Sequence, residues 1–128
     1  MKKICFLILF LFILNGLFGQ TKPEHKWLIG TWNSTYNEEG YNFNETWTFN
    51  DNGSGRSQII TTRGRERKEE TKEFIFSVAA LNLEEVISIF YLENNLIKDN
   101  ENLSLYRIND QRFVRYVYGD FRIYNKRN

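Results

Sequence analysis

Leu103-Ser104-Leu105-Tyr106-Arg107-Ile108, Asn109-Asp110, Gln111-Arg112-Phe113-Val114-Arg115-Tyr116-Val117-Tyr118, Gly119-Asp120 and Phe121-Arg122-Ile123-Tyr124 follow one another without a break. Runs rich in Tyr, Phe, Val and Ile, separated by Asn-Asp and Gly-Asp, predict three strands joined by two-residue turns. With those turns, Ile108 pairs with Gln111, Leu105 with Val114, Leu103 with Tyr116, Tyr116 with Ile123 and Tyr118 with Phe121. Paired residues point to the same face of a sheet. One face then collects Leu103, Leu105, Val114, Tyr116, Tyr118, Phe121 and Ile123, and is expected to be the inside. The other carries Ser104, Tyr106, Phe113, Arg115, Val117, Arg122 and Tyr124. On it Tyr106, Phe113 and Val117 form a modest apolar patch for a partner chain or the N-terminal leader.

The same pattern extends toward the N-terminus. Strands are predicted at 28–36, 41–49, 54–62, 70–79, 85–92, 102–108, 111–118 and 121–126. In the second, Phe43, Glu45, Trp47 and Phe49 share one face, and Asn50-Asp51-Asn52-Gly53 supplies the left-handed positions of a turn. The fourth sets Phe74, Phe76 and Val78 against Glu73, Ile75 and Ser77. The fifth, Val86 to Leu92, is apolar on both faces, so periodicity leaves its orientation open. Pro23 precedes the first strand, where its missing N–H breaks no ladder. Next-neighbour hairpins without a long crossover predict an all-β, eight-stranded antiparallel up-and-down barrel.

Residues 1–19 read differently. Met1-Lys2-Lys3 is basic, and Ile4 to Leu14 is continuously apolar. Asn15-Gly16 then interrupts the run, and small Gly19 suits the position before a cut. Ile4 to Phe18 would span about 22 Å as a helix, short of the roughly 30 Å of a bilayer core. The expectation is a cleaved signal peptide, a secreted or periplasmic protein, and no stable membrane insertion after removal. Domain boundaries follow: 1–19 signal peptide, 20–26 exposed leader with a helical turn near Pro23, and 27–128 barrel.

Composition removes several chemistries. The chain has 128 residues, one Cys and one His. Cys5 leaves with the signal, and His25 is expected to be exposed in the leader, so no Cys–His nucleophile or zinc set can form. Cutting after Gly19 turns the net charge of +1 into −1, which offers no electrostatic footprint for nucleic acid. The run Arg63-Gly64-Arg65-Glu66-Arg67-Lys68-Glu69-Glu70 alternates in sign and reads as a solvated hairpin tip. Glu69-Glu70 and Glu84-Glu85 are sequence neighbours whose side chains face opposite sides of a strand, so neither works as a glycosidase pair. No enzyme activity and no cofactor are expected.

Two positions are open to a ligand. Glu45 sits on the aromatic face, where a carboxylate must be paired or protonated. It either meets a polar ligand group, is satisfied by Arg107 or Tyr116, or lies exposed at the barrel mouth. Arg122-Ile123-Tyr124 places an Arg fork and a Tyr hydroxyl on one face, similar to the pair with which intracellular fatty-acid-binding barrels hold a carboxylate. The register above turns that face outward, and a one-residue bulge in the last hairpin would reverse it.

Leu28-Ile29-Gly30-Thr31-Trp32 at the entry to the first strand, then Glu45-Thr46-Trp47-Thr48-Phe49 running into Asn50-Asp51-Asn52-Gly53-Ser54-Gly55, resembles the secreted bacterial lipocalin-like domains. The resemblance implies a barrel with an apolar interior and often an interior ligand. It also implies that Trp32, after Gly30, closes the barrel floor under a basic residue near the last strand. Arg122, Lys126 and Arg127 are near enough, and Arg127 is favoured. The expected function is non-enzymatic binding of a small hydrophobic or amphipathic ligand by Trp32, Tyr36, Phe43, Glu45, Trp47, Phe49, Phe74, Phe76, Leu103, Leu105, Tyr116 and Tyr118. The alternative is a side-chain-filled barrel that works as a protein-interaction module through its outer surface.

Overall fold

All the hairpins expected from the sequence form. A computed structural model describes residues 23–81, 84–117 and 119–127; the expected signal peptide and Tyr118 lie outside them. A 3₁₀ turn at Pro23–Leu28 precedes β1 (Gly30–Glu38), β2 (Tyr41–Phe49), β3 (Ser54–Arg63), β4 (Glu66–Leu81), β5 (Glu84–Glu93), β6 (Leu96–Asn109), β7 (Arg112–Val117) and β8 (Asp120–Arg127). Each strand pairs antiparallel with the next, and β1 returns to β8, closing an up-and-down barrel. That closure is short: among the described residues Thr31–Arg127, Trp32–Lys126 and Asn33–Asn125 pair. β4 and β6 start earlier than hydrophobic alternation indicates, at residues 66 and 96 in place of 70 and 102. There the hairpins project beyond the core, so the backbone ladder persists on exposed, charged residues.

The lower half of the barrel is solid. Trp47, Phe49, Phe74, Phe76, Ile87, Ile89, Leu103 and Leu105 are buried in one cluster, at roughly 25 cal/mol per Å² of apolar surface removed from water. The 3₁₀ turn plugs the floor. Trp27 meets Trp32 edge-on with ring centroids 5.9 Å apart, and Trp32 packs on Phe113 at 4.7 Å. The indole Nε1 of Trp32 donates to the Leu28 carbonyl at 2.7 Å. The end of the leader is therefore drawn under the barrel: His25, expected in solvent, is 6% exposed with Nδ1 3.9 Å from Glu85 Oε1.

The basic residue over Trp32 is Lys126, correcting the expectation of Arg127. Lys126 Nζ lies 5.2 Å from the Trp32 ring centroid and donates to the Trp27 carbonyl at 2.8 Å. Trp32 pairs with Lys126, so the two share the inner face, whereas Arg127 pairs with Thr31 and is exposed. Gly30 makes room for the lysine: a Cβ there would stand 2.7 Å from Lys126 Cε, and its φ of 134° is one that other residues rarely adopt.

The larger correction is the register of the last three strands. Arg107 pairs with Phe113 but Asn109 pairs with Arg112, which leaves Ile108 as an extra residue on β6. A one-residue bulge turns every later side chain to the opposite face. Leu105 consequently pairs with Arg115 instead of Val114. The last hairpin is also displaced: Tyr116 pairs with Phe121 rather than Ile123, and Asp120, expected in the turn, pairs with Val117. This shift of two leaves the shared faces of β7 and β8 unchanged, so Arg115 and Arg122 point the same way. Phe113 and Tyr124 are buried with their rings stacked at 4.8 Å. Tyr116, Phe121 and Ile123, expected inside, are exposed. Of the expected outer patch, Phe113 is buried and Val117 lines the interior, leaving Tyr106 outside.

Gly55 offers a test of this packing. A Cβ at that position would stand 2.6 Å from the Thr48 carbonyl oxygen and overlap the Phe74 ring. Backbone cannot give way as a flexible side chain can, so Gly55→Ala is expected to cost about 1–3 kcal/mol. Chemical denaturation followed by tryptophan fluorescence measures it.

Candidate functional site

Above the filled core the interior changes character. The space among Trp47, Phe49, Leu103, Leu105, Phe113 and Tyr124 is only about 10 Å³, scarcely enough for one water. Higher up lies a cavity of about 250 Å³. Its apolar walls are Trp47, Ile59 and Val117, with the rings of Tyr36 and Tyr91. Its polar walls are Glu45, Ser57, Lys72, Glu101, Arg115 and Arg122. All eight strands supply these groups, because period-two alternation brings every second residue of each strand to the lumen.

Glu45 is the deepest charge, 1% exposed. Its Oε1 accepts from the Trp47 indole at 3.0 Å and the Tyr124 hydroxyl at 3.2 Å, and its Oε2 from Arg122 at 3.3 Å. These partners replace Arg107 and Tyr116, expected from sequence. Arg107 instead lies over Trp27, 5.1 Å from the ring centroid, and Tyr116 points outside. Arg122 also lies 4.1 Å over the Tyr36 ring and 3.7 Å from Glu38, so one guanidinium spans the part of the β1–β8 seam where the backbone ladder has ended.

A second pair stands across the cavity. Arg115 donates to Glu101 Oε1 at 2.6 Å, and the Tyr91 hydroxyl donates to Oε2 at 2.7 Å. Lys72 sits 4.8 Å above the Tyr91 ring and 3.6 Å from Glu70. The two arginine side chains are only 14% and 18% exposed. Burial would lower the Arg115 pKa, but Tyr124 and Glu101 more than offset it and hold it above the ordinary value. Burial, then the bond to Glu45, pushes the Tyr36 phenol up; burial, then Glu101, does the same for Tyr91. Tyr124 is pushed up to about 12, by burial first and the Glu45 charge second. The network thus stabilises neutral phenols beside charged carboxylates.

The twelve expected ligand residues divide into groups. Tyr36, Glu45 and Trp47 line the cavity. Phe43 stacks on Tyr36 at 4.9 Å, at the rim. Trp32 belongs to the floor, while Phe49, Phe74, Phe76, Leu103 and Leu105 fill the core beneath. Tyr116 is outside, and Tyr118 is not described. Sequence reasoning missed Ser57, Ile59, Lys72, Tyr91, Glu101, Arg115 and Val117. Arg122 was singled out with Tyr124 but placed on the wrong face. Ile108 hid the parity of β7 and β8, β5 gave no orientation for Tyr91, and Glu101 lies where polar residues masked the start of β6. Among the described residues no group of three or more His, Cys, Asp or Glu side chains gathers to hold a metal, and no helix is long and apolar enough to cross a membrane.

The raised phenols set an alkaline limit. An unfolded tyrosine loses its proton near pH 10, and Tyr124 in the fold near about 12. Its contribution is complete below pH 10 and is lost as pH rises toward 12, because the unfolded chain holds fewer protons there. Urea unfolding at pH 9 and near pH 12 is expected to differ by roughly 2 kcal/mol from Tyr124 alone, with Tyr36 and Tyr91 adding in the same direction. Tyr124→Phe should flatten the slope.

Compared with protein-family models, with curated proteins and with solved structures, the chain gives no match.

Proposed function

We propose that the protein is an exported, non-enzymatic, lipocalin-like barrel that holds one small amphipathic molecule in its upper cavity, with the ligand's anionic group against Arg115 and Arg122. The observation that carries this reading is a pair of largely buried guanidiniums, Arg115 and Arg122, in the cavity wall with N–H donors left over. Lys72 is a third lining cation, answered by Glu70 at 3.6 Å. A largely desolvated guanidinium has five N–H donors in a fork suited to a carboxylate. Arg122 spends one bond on Glu45 and Arg115 one on Glu101.

Size narrows the class. A cavity of about 250 Å³ holds roughly eight waters at ~30 Å³ each, below the usual range of drug-sized sites. That suits a short or single-ring carboxylate and excludes a long acyl chain held wholly inside. Trp47, Ile59, Val117 and the Tyr rings receive the apolar part. The continuously apolar Ile4 to Leu14 segment after basic Met1-Lys2-Lys3 supports export as the setting. The outer-surface alternative is favoured by a separate observation, the exposed apolar residues of β6–β8.

Trp47 lies in the cavity wall, so its fluorescence reports occupancy. Titration with short aromatic and aliphatic carboxylates and their matching alcohols is expected to show the acids binding about tenfold tighter or more. Arg122→Lys keeps a charge beside Glu45 but removes the fork, and should remove that preference while the melting temperature changes little. Equal affinity for acid and alcohol, or no binding by any member at millimolar concentration, overturns the proposal.

A further inference from the structure

Two hairpins part company in the upper wall of the barrel. β4 pairs with β5 as far as Glu73 and Leu92, and among the described residues no pair joins the two strands above that point. From there β4 continues to Glu66 with pairs to β3 alone. β5 ends at Glu93, and its hairpin with β6 contains an extra residue: Tyr91 pairs with Asp99 and Leu92 with Ile97, which leaves Lys98 over. A bulge bends its strand and increases the local twist, here at the level where the hairpin leaves β4.

Between the two hairpins lies a cleft of about 570 Å³. Thr71, Glu73 and Leu92 in its lining alternate with buried Phe74 and Tyr91 and so face outward; Lys72, Tyr91 and Asp99 have the inward parity. A pocket on one surface of a sheet draws on one parity. This one draws on both, as an opening through the wall does. Lys72 and Tyr91 also line the interior cavity, so cleft and cavity meet at these two side chains. Lys72 lies across the junction, with Nζ 4.8 Å above the Tyr91 ring and 3.6 Å from Glu70. An exposed ion pair holds a side chain weakly, and lysine turns on a flexible four-carbon stem, so it can swing aside without any change in the backbone.

We propose that the β4–β5 cleft is a side entrance to the cavity, gated by Lys72, and that it holds the chain of a ligand too long to be enclosed. The inference rests on the reading above only in setting the ligand's anionic end against Arg115 and Arg122. The ligand class is then a carboxylate with an extended, uncharged chain. Its head and first carbons fill the cavity, and the rest leaves between Lys72 and Tyr91, along the Tyr91 ring, the lysine stem and Leu92. Orientation follows from charge. In the cleft Lys72 is answered by Glu70 and Lys98 by Glu93, while Asp99 repels an anion, so the carboxylate belongs inside and the chain outside.

Thiol labelling tests the entrance without any ligand. With Cys5→Ser and Ser57→Cys the chain carries one thiol, at a cavity-lining position that is 3% exposed and paired with Lys72. Its reaction with a small methanethiosulfonate is expected to be at least about fivefold faster with Lys72→Ala and at least about fivefold slower with Thr71→Trp, at unchanged melting temperature. Leu92→Trp, on the facing strand, should act as Thr71→Trp does. In calorimetry, straight-chain carboxylates are expected to bind about twofold tighter or more for each methylene beyond the enclosed length, and Thr71→Trp should remove that gain while sparing the shortest acids. Labelling indifferent to these substitutions, or affinity that levels off once the chain outgrows the cavity, overturns the inference; short acids still preferred over their alcohols then leave the reading of the cavity in place. Equal binding of acids and alcohols with labelling still gated overturns that reading and not the entrance.

Discussion

A carboxylate placed 1% exposed inside a barrel dictates terms to everything around it. An ion of that kind, without partners, costs several kcal/mol to desolvate, and in a protein it is either compensated or left protonated. Glu45 is compensated from far along the chain. Its Trp47 contact is local, but Arg122 and Tyr124 arrive from 77 and 79 residues away. With the register that simple turns would give, β8 would offer Glu45 the aliphatic side of Ile123 and Phe121. With the extra residue at Ile108, it offers a cation and a hydroxyl. Phe113, coming inward with them, fills the gap between Trp32 and Tyr124. The bulge thus serves two demands at once, satisfying a buried charge and completing the aromatic floor.

This explains which parts of the molecule were legible in the residues. Strand number, hairpin order and barrel closure are written in local signals: turn residues at regular spacing and aromatic alternation in β2 and β4. Glu45 as interior also follows from one strand alone, and Trp32 as floor from the resemblance carried by its Gly-x-Trp segment. The faces of β7 and β8 do not, because both sides of those strands carry large apolar residues, and alternation has no preference between Phe113 with Tyr124 and Tyr116 with Phe121. The deciding partner, Glu45, is remote in sequence. His25 was misplaced for a related reason: a short polar-looking leader gives no hint that Trp27 and Leu28 will draw it under the barrel.

The interior has two halves with different physics. Beneath Trp47 it is close-packed and nearly free of space, so its residues hold the shape. Above, acids, bases and phenols are arranged in mutually satisfied pairs around a small void. Filled and hollow barrels, which the sequence leaves as alternatives, are both present here, stacked along one axis. The stacking is economical in sequence: within β2 the step from Phe49 and Trp47 to Glu45 crosses from one half to the other.

The seam between β1 and β8 has a bearing on how the chain reaches its native state. Seven of the eight strand contacts join neighbours and form as soon as a hairpin is complete. The eighth joins β1 to β8, nearly a hundred residues later, by three pairs among the described residues and a side-chain bridge. During synthesis β1 therefore waits with one flank bare until β8 emerges. Closure must come late and has little backbone to secure it, which makes this seam the place where the barrel is expected to breathe.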